Sequence, residues 1–171
     1  GLRPDLTVAC DVRTPWEDAA RVFGPQKGAD PATVRRLDRR LARLAAAAPR
    51  DPRGVPMSGA AGGLAGGLWA HLGAHLAPGA PYVLDAIGFD DRMREARFVV
   101  TGEGRIDEQT LAGKAVGEVA TRCRQAGVAC HAVVGEEALD RFRERLLDIS
   151  TVTEAPTVRR LTAAGRKLAA L

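Results

Sequence analysis

The sequence predicts an α/β protein in two parts. Residues 81–171 read as a parallel three-layer α/β (Rossmann-like) unit, and residues 1–80 as a mostly helical portion of a second α/β domain. Three observations predict this. Apolar runs at 98–100, 128–134 and 149–152 each hand over to a helix-patterned segment through a short link, the alternation that builds parallel strands with crossover helices. Residues 1–80 hold only one clear strand pattern, at 6–10, among helical ones. A link of two prolines and a glycine at 77–81 separates the two parts, and each is expected to be incomplete as a domain.

Each element has its own justification. Residues 6–10, Leu-Thr-Val-Ala-Cys, form a short strand that delivers Asp11 to a turn. Thr14 is the expected N-cap of a helix that reaches about Val22, with Pro15 in its first turn. The run 24–31, Gly-Pro-Gln-Lys-Gly-Ala-Asp-Pro, breaks that helix, and Asp30 caps a longer one with Pro31 at its first position. Val34, Leu37, Leu41, Leu44 and Ala48 give the longer helix an apolar stripe, while its arginines read as a solvated face. After a proline-rich loop, Ser58 is expected to cap a helix over 59–76. Five of its glycines, Gly59, Gly62, Gly63, Gly66 and Gly67, each costing about 1 kcal/mol relative to Ala, signal the close approach of another backbone or of a ligand, close helix packing being the simpler reading.

In the second part, residues 82–84 are a short apolar run and 89–94 are helical. The strand at 98–100 empties into a Gly-rich polar loop. A helix over 110–126 follows, with Gly127 as its C-cap. A strand at 128–134, a helix at 138–147, a strand at 149–152 and a helix at 157–171 complete the pattern.

Composition excludes several classes of function. The 171 residues are 46% hydrophobic and 27% charged, ordinary for a globular chain, and no apolar run approaches a membrane span. The net charge of +4 is interleaved with acids and lacks a basic run with aromatics, so nucleic acid is not an expected partner. Three cysteines (Cys10, Cys123 and Cys130) without a CxxC pair fit free thiols in a reducing cytoplasm. His71 and His75 stand four apart on a predicted helix, but no glutamate follows His71, so a zinc site is not expected. The start has neither a Met nor a signal-peptide pattern, which reads as a trimmed chain.

The most informative stretch is 98–114. Phe98, Val99 and Val100 run into Thr101, Gly102, Glu103, Gly104, Arg105, Ile106, Asp107, Glu108, Gln109 and Thr110, with Lys114 near the start of the next helix. A buried strand ending in a Gly-rich polar turn before a helix is where open α/β sheets bind ligands, and a helix N-terminus favours an anion. The spacing fits neither a P-loop nor the dinucleotide fingerprint. Only three of the 25 basic side chains are Lys. Two of them, Lys27 and Lys114, sit in Gly-containing polar motifs, where a compact point charge suits a phosphate; the third, Lys167, lies in a plain helical tail. The simpler alternative at each site is a solvated loop or a turn cap, as for Asp11.

Four blocks together resemble bacterial glycerate kinases of the first type, in the order of that family. They are Cys10-Asp11-Val12; Val-Phe-Gly-Pro-Gln-Lys-Gly-Ala at 22–29; Gly-Ala-Ala-Gly-Gly at 59–63; and Thr-Gly-Glu-Gly-Arg-Ile-Asp-x-Gln-Thr-x-x-Gly-Lys at 101–114. The resemblance runs over nearly the whole chain but covers only the C-terminal half of the family. Members begin with a further stretch holding Asp-Gly-Gly and Gly-Gly-Ser-Ala-Thr motifs, neither of which is present here. Where the family often has Asn-Pro-Leu this chain has Thr14-Pro15-Trp16, and where Ala-Pro often follows Gly-Lys it has Ala115-Val116.

The resemblance implies transfer of the γ-phosphoryl of ATP, with Mg²⁺, to a hydroxyl of D-glycerate, usually the 2-hydroxyl. It implies a catalytic set of Asp107, Asp11 and Lys27. The nucleotide-binding set is Gly102, Glu103, Gly104, Arg105, Gln109 and Lys114, with Glu103 and Asp107 toward Mg²⁺. The base is left open among Asp11, Glu103 and Asp107. Asp107, just past the strand end, is the first choice. Lys27, Lys114 and Arg105 are the candidate clamps for phosphate or the glycerate carboxylate, and Gln26 and Gln109 the candidate hydrogen-bonding groups. Residues 1–80 would then belong to a substrate or lid domain. The implied partners are ATP, D-glycerate, and either a second copy or the N-terminal half of the family, with the isolated chain inactive. The alternative is a non-catalytic small-molecule-binding or interaction domain.

Overall fold

In the computed structural model, which describes residues 5–111, 114–140 and 145–171, the chain divides into two units, Gly1–Tyr82 and Val83–Leu171. In the first unit β1 (Thr7–Cys10) leads through a 3-10 turn (Trp16–Asp18) into the short helix α1 (Ala19–Phe23). Thr14 does not cap it. The cap position of the 3-10 turn is Pro15 and that of α1 is Asp18, neither with a side-chain hydrogen bond. The backbone N–H of Trp16 instead donates to Ser58 Oγ at 2.8 Å, across 42 residues. Ser58 is therefore no helix cap either. It is fully buried, and its hydroxyl faces the carbonyls of Pro52 and Val55 at 2.8 and 2.7 Å.

A second 3-10 turn (Pro25–Lys27) ends on Gly28 at φ 81°, and α2 (Pro31–Ala47) follows. Asp30 caps α2 as its sequence position implies. Oδ1 accepts the Thr33 N–H at 2.6 Å, and that bond holds the Asp30 carboxyl below its ordinary range. The stripe of α2 turns inward at Val34, Leu41, Ala45 and Ala48, with Ala45 buried and Leu44 half-exposed. Trp16 is fixed against α2 by its indole N–H, which donates to the Leu41 carbonyl at 3.0 Å.

The helix expected over 59–76 is shorter. Ala61, Gly62 and Gly63 take left-handed φ values of 52, 69 and 98°, so a 3-10 turn (Ala60–Gly63) precedes α3 (Leu64–Leu72). Gly73, at φ 72°, ends α3. The chain then turns into β2 (His75–Pro78), which lies parallel to β1 with Thr7 opposite His75. Residues 77–78, expected in a link, thus belong to a strand, and His71 and His75 do not share a helix. Close packing explains part of the glycine repeat. A Cβ on Gly66 would stand 2.7 Å from both the Ser58 carbonyl oxygen and the Trp16 ring, and one on Gly63 3.0 Å from that ring.

Residues 82–84, expected as a short apolar run, are helical. They lie within α4 (Gly79–Ala86), and α5 (Phe89–Glu95) follows. β3 (Phe98–Ile106), β4 (Ala129–Glu137) and β5 (Thr151–Glu154) form a parallel sheet in that order. After β3 come α6 (Glu108–Leu111) and α7 (Ala115–Ala126), which Gly127 ends at φ 70°. The helix expected over 110–126 is therefore interrupted, with Lys114 extended at the N-cap position of α7. Of the helix expected over 138–147, residues 138–140 are non-helical, 145–147 are helical and 141–144 lie outside the described residues. The last helix, α8 (Val158–Leu168), is capped by Thr157 Oγ1, which accepts the Arg160 N–H.

The sheet has a helix on each face. Val99, Cys130, Ala132 and Val134 meet Val116, Val119, Ala120 and Cys123 of α7 in one buried cluster. Val100, Gly102 and Val133 face the other way, across an apolar groove from Leu161 and Leu168 of α8. The chain thus has the expected parallel α/β architecture. All three cysteines are free and buried. Burial, with the Cys123 thiol alongside, pushes the Cys130 thiol up to about 12; burial likewise raises Cys123 and Cys10. Arg122 ties three helices together, with bonds to Glu118 (2.8 Å), Asp85 (2.6 Å) and Asp90 (3.1 Å). Burial disfavours its charge, but these carboxylates outweigh burial and raise its pKa.

Candidate active site

β3 is longer than its apolar run. Residues 101–106, expected as a loop, continue the strand, because Gly102 and its neighbours pair with β4 as far as Ile106 opposite Glu137. The two glycines differ in what they face. A Cβ on Gly102 would collide with the Val133 carbonyl oxygen of β4, whereas the Cβ position of Gly104 is open, with nothing within 4 Å. Gly102 therefore serves strand-to-strand contact, and Gly104 leaves space beside the backbone. Asp107 alone forms the bend between β3 and α6. It stands just beyond the carboxyl end of the strand.

Four charged side chains expected to act together meet at this end of the sheet. Glu103 Oε1 accepts the Thr110 hydroxyl at 2.6 Å. Arg105 Nε lies 3.9 Å from Asp107 Oδ2, and Lys114 Nζ lies 3.8 Å from Asp107 Oδ1. Asp107 is thus held between two cations and is about a third exposed, as is Lys114. Arg105 also reaches across the ladder to its register partner Glu136, 3.3 Å away. These separations are ion-pair contacts between partly exposed side chains. Gln109 belongs to α6, and nothing is described of its side chain.

Asp11 and Lys27 are brought together in the first unit. Both line a cleft of about 790 Å³ with Val12, Phe23, Leu41 and Arg40. Both are exposed at its rim, and among the described residues neither makes an ion pair.

Sequence reading missed three contributors. Thr110 carries capping-box spacing from Asp107, a signal that was present but unused. Glu136 is visible only through strand register. Gly117 lies on α7, where a Cβ would collide with the Thr110 carbonyl oxygen.

The donor set suits phosphate with a hard cation. Two carboxylates, Glu103 and Asp107, stand with two cations, and among the described residues no cluster of three or more His, Cys, Asp or Glu forms a metal cage. Mg²⁺ is typically held in this way, by one or two carboxylates plus phosphate oxygens. Fold and site define a parallel α/β protein with a cluster of carboxylates and cations at the carboxyl end of its sheet, the place where open α/β sheets bind ligands.

Comparison with known proteins gives the particular family. The glycerate kinase family profile matches residues 3–168, and the chain belongs to that family. A glycerate kinase of Halalkalibacterium halodurans is 46% identical over 137 residues, 76% of this chain and 36% of that protein. Glycerate 2-kinase of Escherichia coli is 35% identical over 177 residues, 91% of this chain and 46% of that protein. A solved structure of a protein assigned as glycerate kinase 2 from Salmonella typhimurium superposes with a TM-score of 0.62 at 35% identity, over 88% of this chain and 40% of that one. The chain thus spans less than half the length of these relatives.

Proposed function

We propose that this chain supplies part of the catalytic apparatus of an ATP-dependent D-glycerate kinase, forming phosphoglycerate, with the 2-hydroxyl as acceptor. The observation that carries the reading is the grouping of Glu103, Arg105, Asp107 and Lys114 at the end of β3, in a chain of the glycerate kinase family. In this reaction a bond forms between the glycerate hydroxyl oxygen and the γ-phosphorus, the bond to the β-phosphate oxygen breaks, and the hydroxyl proton leaves. Such transfer rests on positioning and charge neutralisation rather than on covalent catalysis.

In this reading Asp107 is the first candidate to take the hydroxyl proton. Arg105 and Lys114 hold phosphate oxygens, and Gly104 leaves the backbone open to them. Glu103 and Asp107 are the residues that would hold Mg²⁺, which neutralises phosphate charge when bound. Gly102 and Gln109 complete the nucleotide side. Asp11 and Lys27 act from the cleft of the first unit, with Lys27 toward substrate charge. The partners are ATP and D-glycerate, the setting a reducing cytoplasm. The apolar side chains exposed in the first unit (Val22, Leu44, Leu64 and Leu72) favour a covering partner, either a second copy or the remaining portion of the family's length.

Coverage of under half of each compared relative also supports a second reading: alone, this chain binds without turnover. The test is phosphorus NMR of ATP and D-glycerate incubated with the isolated chain and with the complete protein. Expected are 2-phosphoglycerate from the complete protein and none from the isolated chain. No glycerate-dependent phosphoryl transfer by the complete protein overturns the proposal.

A further inference from the structure

Thr110 is fully buried, yet it makes no ordinary core contact with its polar end. Its hydroxyl donates to Glu103 Oε1 at 2.6 Å and accepts the backbone N–H of Asp107 at 3.1 Å. Its own N–H donates to the Asp107 carbonyl at 3.0 Å. One side chain therefore holds a carboxylate inside β3 and the backbone of the residue just past the strand end. The position of Thr110 is set in turn by α7, because Gly117 presents no Cβ and the Thr110 carbonyl oxygen occupies the place one would fill. A helix of only four residues, α6, has little stability of its own, so these contacts and the packing on α7 determine where the bend lies.

We infer that Thr110 is a positioning residue of the proposed kinase centre, its hydroxyl holding Glu103 and Asp107 at a fixed separation for phosphate and its cation. This inference rests on the proposed function. A hydroxyl suits the role because it donates to one group while accepting from the other. Valine has nearly the same shape and does neither. Serine does both.

The test compares Thr110→Val, Thr110→Ser and Thr110→Ala with the unmodified protein, and has two readouts. In the complete protein, kcat and KM for ATP and for D-glycerate are measured. In the 171-residue chain, Mn²⁺ is titrated with ADP present and the broadening of the amide signals of Gly104, Arg105 and Asp107 is followed. Thr110→Val is expected to lower kcat at least tenfold with a smaller change in KM for D-glycerate, and to weaken the broadening. Thr110→Ser is expected to stay within threefold in both. Should Thr110→Val not fold, Thr110→Ala, which lacks the hydroxyl and lightens the packing, takes its place.

Thr110→Val or Thr110→Ala, folded by circular dichroism and within twofold of the unmodified kcat, overturns the inference. So does a loss in Thr110→Ser as large as that in Thr110→Val. Absence of broadening in the unmodified chain would instead remove Glu103 and Asp107 as cation ligands, and the kcat comparison alone would then decide the role of Thr110.

Discussion

Replacing Lys114 by Met separates ligand charge from fold. Lys114 Nζ and Asp107 Oδ1 are 3.8 Å apart, and each side chain is about a third exposed. Two unit charges at about 4 Å attract by about 1 kcal/mol in water and about 4 kcal/mol at an effective dielectric constant of 20. Side-chain ordering and salt reduce such partly exposed pairs to a net worth below about 1 kcal/mol. For a chain of this size that corresponds to a fall in Tm of no more than about 4 °C. If the same ammonium neutralises charge on the transferring phosphoryl group, its loss reaches the reaction barrier. A tenfold fall in turnover, equal to about 1.4 kcal/mol, is then the smallest expected effect. Thermal unfolding of the 171-residue chain and steady-state turnover of the complete protein, each with Lys114→Met, give the two numbers. A Tm loss above about 10 °C, or turnover within twofold of the unmodified protein, would refute the reasoning. Lys27→Met is the matching perturbation in the cleft of the first unit.

Four other outcomes follow from the same structure. Ser58→Ala removes the buried partner of the Trp16 N–H and is expected to cost about 1–3 kcal/mol in urea unfolding; a change below about 0.5 kcal/mol would mean that water replaces the hydroxyl. Gly102→Ala, whose Cβ would collide with the Val133 carbonyl oxygen, should destabilise the chain by about 2 kcal/mol or more, as overpacking does. Gly104→Ala should unfold like the unmodified chain yet bind ADP more weakly by calorimetry, because the open space is on its side. The Cys130 thiol has its pKa raised by folding to about 12, so the native state binds more protons than the unfolded state above about pH 8.5. Its contribution is fully present below that pH and falls as pH rises toward about 12. Urea midpoints from pH 8 to 10.5 should therefore decline more steeply for the unmodified chain than for Cys130→Ala.

The strand–helix alternation of the second unit, the Asp30 cap and the glycine stops at Gly73 and Gly127 depend on local chemistry. Of these, only Gly73 escaped sequence reading, because the apolar pattern runs through it to Leu76. The role of Ser58 could not be read locally. A Ser before a glycine-rich segment looks like a cap, and only a contact across 42 residues makes it the partner of Trp16. In the same way the dipeptide Gly102-Glu103 reads as a loop, until pairing with β4 keeps it in a strand.

By itself the sequence determined the α/β class, the family blocks and the charged and glycine residues that follow the apolar run of β3, because periodicity, capping and glycine spacing are properties of neighbours along the chain. Tertiary structure alone decided that Asp107 lies between Arg105 and Lys114, that Glu136 faces Arg105, and that Gly117 makes room for Thr110. Each of these depends on the register of parallel strands or on the seating of one helix against another. A few ångströms of register, set by packing far from the site, determine which charges meet.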